Sequence, residues 1–404
     1  MEEHPPWAGL DERIVAEIVD RVPCEIDRLR VYAMCRSWRA ALVRRRHPPP
    51  PPALPYLFLR RGNDPVFHCV ASGWRAHADV NVLELLVLRD KRLFGSYEGS
   101  WVFIALEQAL LHMLVNIDTL ETFDLPTGLR NAVGSEKIII AAATLSCQPT
   151  EQRCVVAGIV RLHSDPRGVR SILLCRRDAR EASLIFPEEA SMEAEDVLYH
   201  KGAFHFLTQG EHIAVADPKL LGALNKGGLK YLRFSPSGYK HEHQFVEARY
   251  LVESREHLLM VVRLAPIPMF AASAFRVFQM AEGMLYGQAH YAWEELHTLD
   301  GRMLFVGRGC SRSYEAAAYP GSKSGIYFLD DRSWHDPEIV FRDVAERLYD
   351  CSDNGIWSGT PPGIEHFDPG WPPGPSNYSP PVWILPRDYN FTQPDQISRL
   401  LSSG

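Results

Sequence analysis

The chain holds 404 residues, 46% hydrophobic and 23% charged, with a formal net charge of −7. These ordinary globular proportions exclude disorder over most of the length, and the charge excludes a global nucleic-acid field. The length exceeds the roughly 100–200 residues of one ordinary core unless the fold is built from repeats. Arg outnumbers Lys by 35 to eight, and no Lys precedes Lys91. The 30 Pro and 28 Gly fit many turns between short elements, not a helical solenoid. Eight Cys form no Cys-x-x-Cys pair, so no zinc module is expected. The acidic, Pro-rich start has no apolar h-region, which predicts a reducing compartment, the cytoplasm and/or the nucleus.

From Trp7 to Arg46 the pattern is helical. Leu10, Ile14, Val15, Ile18, Val19 and Val22 fall on one helical stripe, and Pro23 stops it. Asp27 reads as the N-cap of a second helix carrying Leu29, Val31, Ala33 and Met34. A third short helix carries Trp38 and Leu42 and ends in Arg44-Arg45-Arg46, where cations suit the helix dipole. Three such helices cannot bury much of their own apolar surface, so the remainder needs a partner. Pro48 to Pro52 then cannot extend a helix and favour a stiff polyproline stretch.

From Leu54 onward, short apolar runs alternate with turns. Ala203–Leu207, Gln209-Gly210-Glu211 and Ile213–Asp217 read as a hairpin. Similar pairs are His112–Asn116 with Leu120–Leu125, Cys154–Arg161 with Val169–Cys175, and Gln244–Val252 with His257–Leu264. A further run is Met303–Gly307, then Ile326–Asp330. The most apolar stretch, Leu258 to Phe275, is interrupted by Arg263, Pro266 and Pro268, so no membrane span is expected. Arg342 to Leu348 reads as one or two helical turns, and Asn81 to Leu88 as helix or strand. Strands at this spacing predict a sandwich pair or a β-propeller of about six to eight blades. Tyr56–Leu59 opens the region and Val382–Leu385 nearly closes it, so the two are expected to pair and remove an open edge.

The N-terminal segment resembles an F-box. The matching residues are Trp7-Ala8-Gly9-Leu10, Ile14–Ile18, Arg21-Val22-Pro23, Leu29-Arg30-Val31 and Met34-Cys35-Arg36-Ser37-Trp38-Arg39. Asp11 replaces the usual opening Pro and Met34 the usual Val. The remainder resembles the plant F-box family whose C-terminal region is a KIB-type β-propeller. Gly307–Tyr314, Tyr319-Pro320-Gly321, Ile326–Asp331, Tyr199–Phe204 and Leu54–Leu57 carry that likeness. Together the resemblances imply a mainly β chain: an F-box at 7–46, a proline-rich linker at 47–54 and a propeller at 55–390. They imply a non-catalytic substrate receptor of an SCF ubiquitin ligase, docked on the Skp adaptor and through it on cullin. On that reading Leu10, Val15, Ile18, Val22, Pro23, Leu29, Val31, Cys35 and Trp38 meet the adaptor, with Trp38 the expected hot spot. The propeller would hold an unknown protein substrate. An alternative is a kinase-binding inhibitory propeller with a vestigial F-box.

Enzyme motifs are poor. His241-Glu242-His243 supplies two ligands where a metal needs three or four. Ser237–Lys240 fits Ser-x-x-Lys without its companion motifs, and Gly307-Arg308-Gly309 lacks the third Gly of a dinucleotide site. Cys310 has a cation two residues on, but reads as a structural thiol beside a turn. No cofactor and no metal are expected. An enzyme on this fold would need a convergent acid–base cluster in the central channel. The candidate substrate contacts are Arg308, Arg312 and Tyr314, with Trp357 and Trp371 on the aromatic, Pro/Gly-rich segment from Cys351 to Pro381. The Lys-free first ninety residues fit reduced self-ubiquitination, since Lys is the acceptor.

Overall fold

Asp11 opens the first helix. Its Oδ1 accepts the Arg13 N–H at 2.8 Å, satisfying one first-turn donor, which is why Asp serves in place of Pro. In the computed structural model α1 (Glu12–Asp20), α2 (Glu25–Ala33) and α3 (Arg36–Val43) follow one another. The structure describes residues 6–44, 51–61, 64–73, 75–76, 88–126, 128–131, 134–165, 167–177, 182–221, 229–235, 244–285, 288–359, 361–367 and 375–386. The cap of α2 lies three residues before the expected one. Cys24 is the N-cap, and its Sγ accepts the Asp27 N–H at 3.5 Å. No helix among the described residues is long and apolar enough to cross a membrane.

The strands form a six-bladed β-propeller. The first blade holds β1 (Tyr56–Arg61), β2 (Asp64–Cys69) and β3 (Arg75–Ala76). The second is β4 (Arg92–Tyr97), β5 (Trp101–Leu106), β6 (Leu111–Asn116) and β7 (Thr122–Leu125). The third is β8 (Gly128–Asn131), β9 (Gly134–Leu145), β10 (Val155–Leu162), β11 (Ser171–Arg176) and β12 (Ser183–Ile185). The fourth is β13 (Ala194–His200), β14 (Ala203–Thr208), β15 (Ile213–Ala216) and β16 (Lys230–Leu232). The fifth is β17 (Phe245–Ser254), β18 (His257–Ala265), β19 (Ala274–Leu285) and β20 (Gln288–Glu295). The sixth is β21 (Arg302–Phe305), β22 (Arg312–Glu315), β23 (Gly325–Phe328), β24 (Gly355–Gly359) and β25 (Pro362–His366).

The last strand, β26 (Val382–Ile384), returns to the first blade. It pairs antiparallel with β1, Tyr56 opposite Ile384 and Phe58 opposite Val382, so the expected closure forms. The expected hairpins are β6–β7, β10–β11, β14–β15 and β17–β18. The sixth blade departs from a simple meander. After β21 the chain turns back as β22 and then lays β23 parallel to β21 on its other side. The helix expected at Arg342–Leu348 is a single hydrogen-bonded turn from Asp343 to Arg347. Of Asn81–Leu88, only Leu88 lies within the described residues.

Apolar runs in these strands are nearly continuous because both faces of each blade are covered. In β5, Val102 and Ile104 pack toward Phe58, Phe67 and Ile384 of the first blade. Trp101, Phe103 and Ala105 pack toward Ile138, Ile140 and Val156 of the third. The same division by alternate residues joins each blade to the next. It closes the ring where Met303, Phe305 and Tyr327 meet Leu57, Leu59 and Trp383.

Candidate functional site

The inner strands β26, β4, β9, β13, β17 and β22 follow one another around the axis. At the end where β4, β9 and β26 begin, here the upper face, they enclose a cavity of about 130 Å³. Its walls are Arg92 to Gly95, Ile139 and Ala141, Tyr250, and Val306 to Arg308. The segment between β23 and β24 supplies Leu329 to Asp331, Trp334 and Ile339, and so caps the axis.

The turn after β21 is set by Gly309. Its φ is +75°, and a Cβ there would run into the Ala143 carbonyl, so only glycine fits. Asp196 holds this turn to the inner strands. Its carboxylate accepts the N–H groups of Val197, Leu251 and Gly309, each at 2.7 Å. Burial pushes its acid up to about 7, against those three donors. Cys310 beside it is a structural thiol, pushed up to about 12 by burial despite the nearby Arg312.

Arg308 therefore points into the axis and not out to solvent. It donates to the Glu195 carbonyl at 3.1 Å and to the Asp331 carboxylate. Asp331 also accepts from Tyr250 at 2.7 Å and from Arg263 at 2.8 Å. Arg263, 0% exposed, also reaches the Leu329 carbonyl at 2.7 Å and the Asp353 carboxylate. Burial alone would raise the Asp331 acid, but Arg308 and Arg263 hold it down at about 2. The cluster is thus a chain of ion pairs around the axis. Two further arginines face the cavity on carbonyl partners: Arg92 donates to Gln108 at 2.9 Å and Ile140 at 3.0 Å, and Arg161 to Trp334 at 2.7 Å.

The other sequence candidates do not converge there. Arg312 pairs with Glu98 at 3.1 Å. Tyr314 is half-buried, edge-on to Phe305 at 5.5 Å and to Tyr319 at 5.8 Å. Trp357 is half-buried beside Phe275, in a separate groove with Arg276, Glu295 and Leu299. Trp371, His241–His243 and Ser237–Lys240 lie outside the described residues. Sequence reasoning missed Trp334, Arg161, Tyr250 and Asp353. The visible signal was Arg263 inside an apolar run. Among the described residues no group of three His, Cys, Asp or Glu side chains is placed to hold a metal.

Around the cavity the upper face exposes large apolar side chains. Ile267, Met269 and Phe270 stand on the β18–β19 loop, and Leu110 on the β5–β6 loop. Phe341, Val344 and Leu348 belong to the capping segment.

The helical module has its own small core. Val15, Val19, Tyr32, Trp38, Ala41 and Leu42 pack together, with Leu10, Ile18, Val31 and Cys35 partly buried against them. Of the expected adaptor contacts, Val15 and Trp38 thus lie in this core. Val15 is 1% and Trp38 7% exposed, and the Trp38 indole N–H donates to the Trp7 carbonyl at 2.7 Å. Val22 and Pro23 are half-buried, and the Leu29 side chain lies outside the described residues. The exposed apolar groups are Trp7 (62%), Ile14, Met34 (63%) and Val43. The module leans on the first blade, with Cys24 Sγ at 3.6 Å from Cys69 Sγ and Ser72 donating to Asp27 at 3.1 Å. The hydrogen bond with the Cys24 thiol and then burial push the Cys69 thiol far up.

The family model for the KIB1-4 beta-propeller matches residues 73–356. No curated protein matches the chain. Among solved structures, the N-terminal domain of Nup159 is similar at 10% identity and a TM-score of 0.31, over 61% of this chain and 62% of that one. An S. cerevisiae assembly of Dbp5 with Nup159, Gle1, IP6 and ADP is similar at 9% identity and a TM-score of 0.30, over 61% and 59%. The chain thus spans about three fifths of the length of these two structures.

Proposed function

Because the chain belongs to the KIB1-4 β-propeller family, we propose that its protein-interaction propeller is the substrate-holding half of an F-box receptor in an SCF ubiquitin ligase. The helical module docks the Skp adaptor and through it cullin. The upper face holds a protein substrate, raising its effective concentration near the conjugating enzyme without chemistry by this chain. The assembly works in the cytoplasm and/or nucleus.

One observation carries the reading. A module of about forty residues spends Val15, Val19, Trp38 and Leu42 on its own core and still leaves Trp7, Ile14, Met34 and Val43 in solvent. Isolated exposed apolar residues are common, but a group of them on so small a module marks a docking surface. Ile14 and Ile18 sit four residues apart on α1 and share a face. The test is a binding assay between the full chain and purified Skp adaptor. The intact chain binds, and Ile14→Asp with Met34→Asp weakens binding at least about tenfold, as loss of a buried hot spot does. No binding by the intact chain, or unchanged binding by the double variant, overturns the proposal.

A further inference from the structure

We propose that the axial cavity is a binding site for a small carboxylate with an apolar body. Two independent features of the cavity lead there. The first is size and lining. At about 130 Å³ the space is close to the roughly 150 Å³ of an apolar cavity that accepts benzene. Phe94, Ile139, Val306, Leu329 and Ile339 give it a largely apolar wall. The occupant is therefore of single-ring size.

The second feature is an excess of buried donors. Arg161 and Arg308 are each 8% exposed and Trp334 is 9% exposed. Each leaves one buried nitrogen without a hydrogen-bond partner: Nε of Arg161, Nη2 of Arg308 and Nε1 of Trp334. The three groups are contiguous, because the Arg308 and Arg161 guanidinium carbons lie 4.1 and 5.3 Å from the Trp334 ring centre. All three can only donate, so they select a ligand that accepts.

Charge decides which acceptor. Among the described residues neither Arg161 nor Arg92 has a carboxylate within ion-pair distance. The acids that line the cavity are engaged elsewhere: Asp330 with Arg332, Asp336 with Arg342, and Asp331 shared between Arg263 and Arg308. Arg161 is pushed down to about 10 by burial and by Arg170 and Arg308, which the more distant Glu193 and Asp336 offset only in part. A carboxylate supplies that charge and accepts several N–H bonds in one plane, which suits guanidinium forks. Two sources present this same chemistry, a free acid and the C-terminal carboxylate of a chain ending in an apolar residue.

The test uses the full chain, benzoate as probe and benzamide as its neutral counterpart of equal shape. Benzoate is expected to raise the melting temperature in a saturable way and to bind at least tenfold tighter than benzamide by calorimetry. Arg161→Met abolishes that preference, whereas Arg312→Met, outside the cavity, keeps it. A peptide ending in a free Phe carboxylate, against its amide, separates the sources. Binding tighter than benzoate assigns a protein C-terminus, and binding weaker than benzoate assigns a free acid. Equal effects of benzoate and benzamide, no effect of either, or a benzoate preference that survives Arg161→Met overturns the proposal. The benzoate–benzamide comparison on the unaltered chain decides the matter even where Arg161→Met fails to fold.

Discussion

Replacing Arg263 by Met tests the axial ion network directly. The side chain is 0% exposed and donates to Asp331, Asp353 and the Leu329 carbonyl. Met fills most of the same volume, so the loss is electrostatic, not a cavity. Among the described residues Asp353 keeps only the Ala272 N–H, at 2.7 Å, as a hydrogen-bond donor, while Asp331 keeps Arg308 and Tyr250. Removing one partner of a buried pair costs about 3–5 kcal/mol, because the orphaned carboxylate stays buried. At roughly 2 °C per kcal/mol for a domain of this size, the melting point should fall by about 6–10 °C. The pH dependence gives a second readout. In the parent, Asp331 is held at about 2, below the roughly 3.9 of a free Asp. Its stabilisation is present above the free value and is lost as pH falls through about 2. Without Arg263 that acid moves up, so the variant loses part of the stabilisation already near pH 4. Urea unfolding at pH 7 and pH 4 is the assay. A loss under about 1 kcal/mol at pH 7 would refute the reasoning, since it would mean the buried pair carries no net interaction.

Gly309→Ala should destabilise by about 2–4 kcal/mol, because a left-handed φ and a clash with backbone add together. Gly301→Ala has a similar φ of +77° in open space and should cost only about 1 kcal/mol, so equal urea midpoints for the two variants would refute the clash. Cys35 should be the first thiol alkylated in the native chain near pH 7. The Ser37 hydroxyl, 3.1 Å away, and the Trp38 N–H lower its pKa, whereas burial raises Cys175 and Cys310 to about 12. Added Skp adaptor should slow that labelling, and Cys175 or Cys310 reacting before Cys35 would contradict the assignment.

Much of the architecture was legible because strands announce themselves locally. Ala203–Leu207 and Ile213–Ala216 flank an obvious turn, and Val382–Leu385 had an open strand edge to cover. The sixth blade was harder, since hairpin logic assigns neighbours to antiparallel pairs and β21 pairs parallel with β23. The site was barely legible. Arg263 broke an apolar run and so was noticed, but its partners Asp331 and Asp353 lie 68 and 90 residues further on. Nothing local distinguishes Trp334 from a core tryptophan; only the ring closure brings it onto Arg161 and Arg308. Trp38 reads differently at the two levels. A tryptophan in a docking motif reads as an interface anchor, yet a module this small needs its largest side chain for its own core.

The imbalance of 35 Arg against eight Lys takes on a structural meaning from the propeller. Arg92 spans two carbonyls on different segments, Gln108 and Ile140. Arg170 reaches Glu193 and Glu195, Arg249 reaches Glu195 and Glu211, and Arg255 reaches Asp300 and Glu315. Arg302 joins Ser254 to the Leu299 carbonyl, and Arg332 joins Asp330 to Ser352. Each of these bridges uses two or more edges of one planar fork at fixed angles. An ammonium is a single point on a flexible stem and cannot hold two segments in register that way. Blades in a ring touch mainly through side chains, so cross-links of this kind are a natural demand of the fold. The ring thus accounts for many of its arginines without appeal to ubiquitin transfer. Among the described residues of the Lys-free helices such bridges are fewer, Arg28 to the Pro23 and Pro51 carbonyls and Arg44 to Glu12 and the Ala40 carbonyl, and it is there that the absence of an acceptor amine still asks for a functional reason.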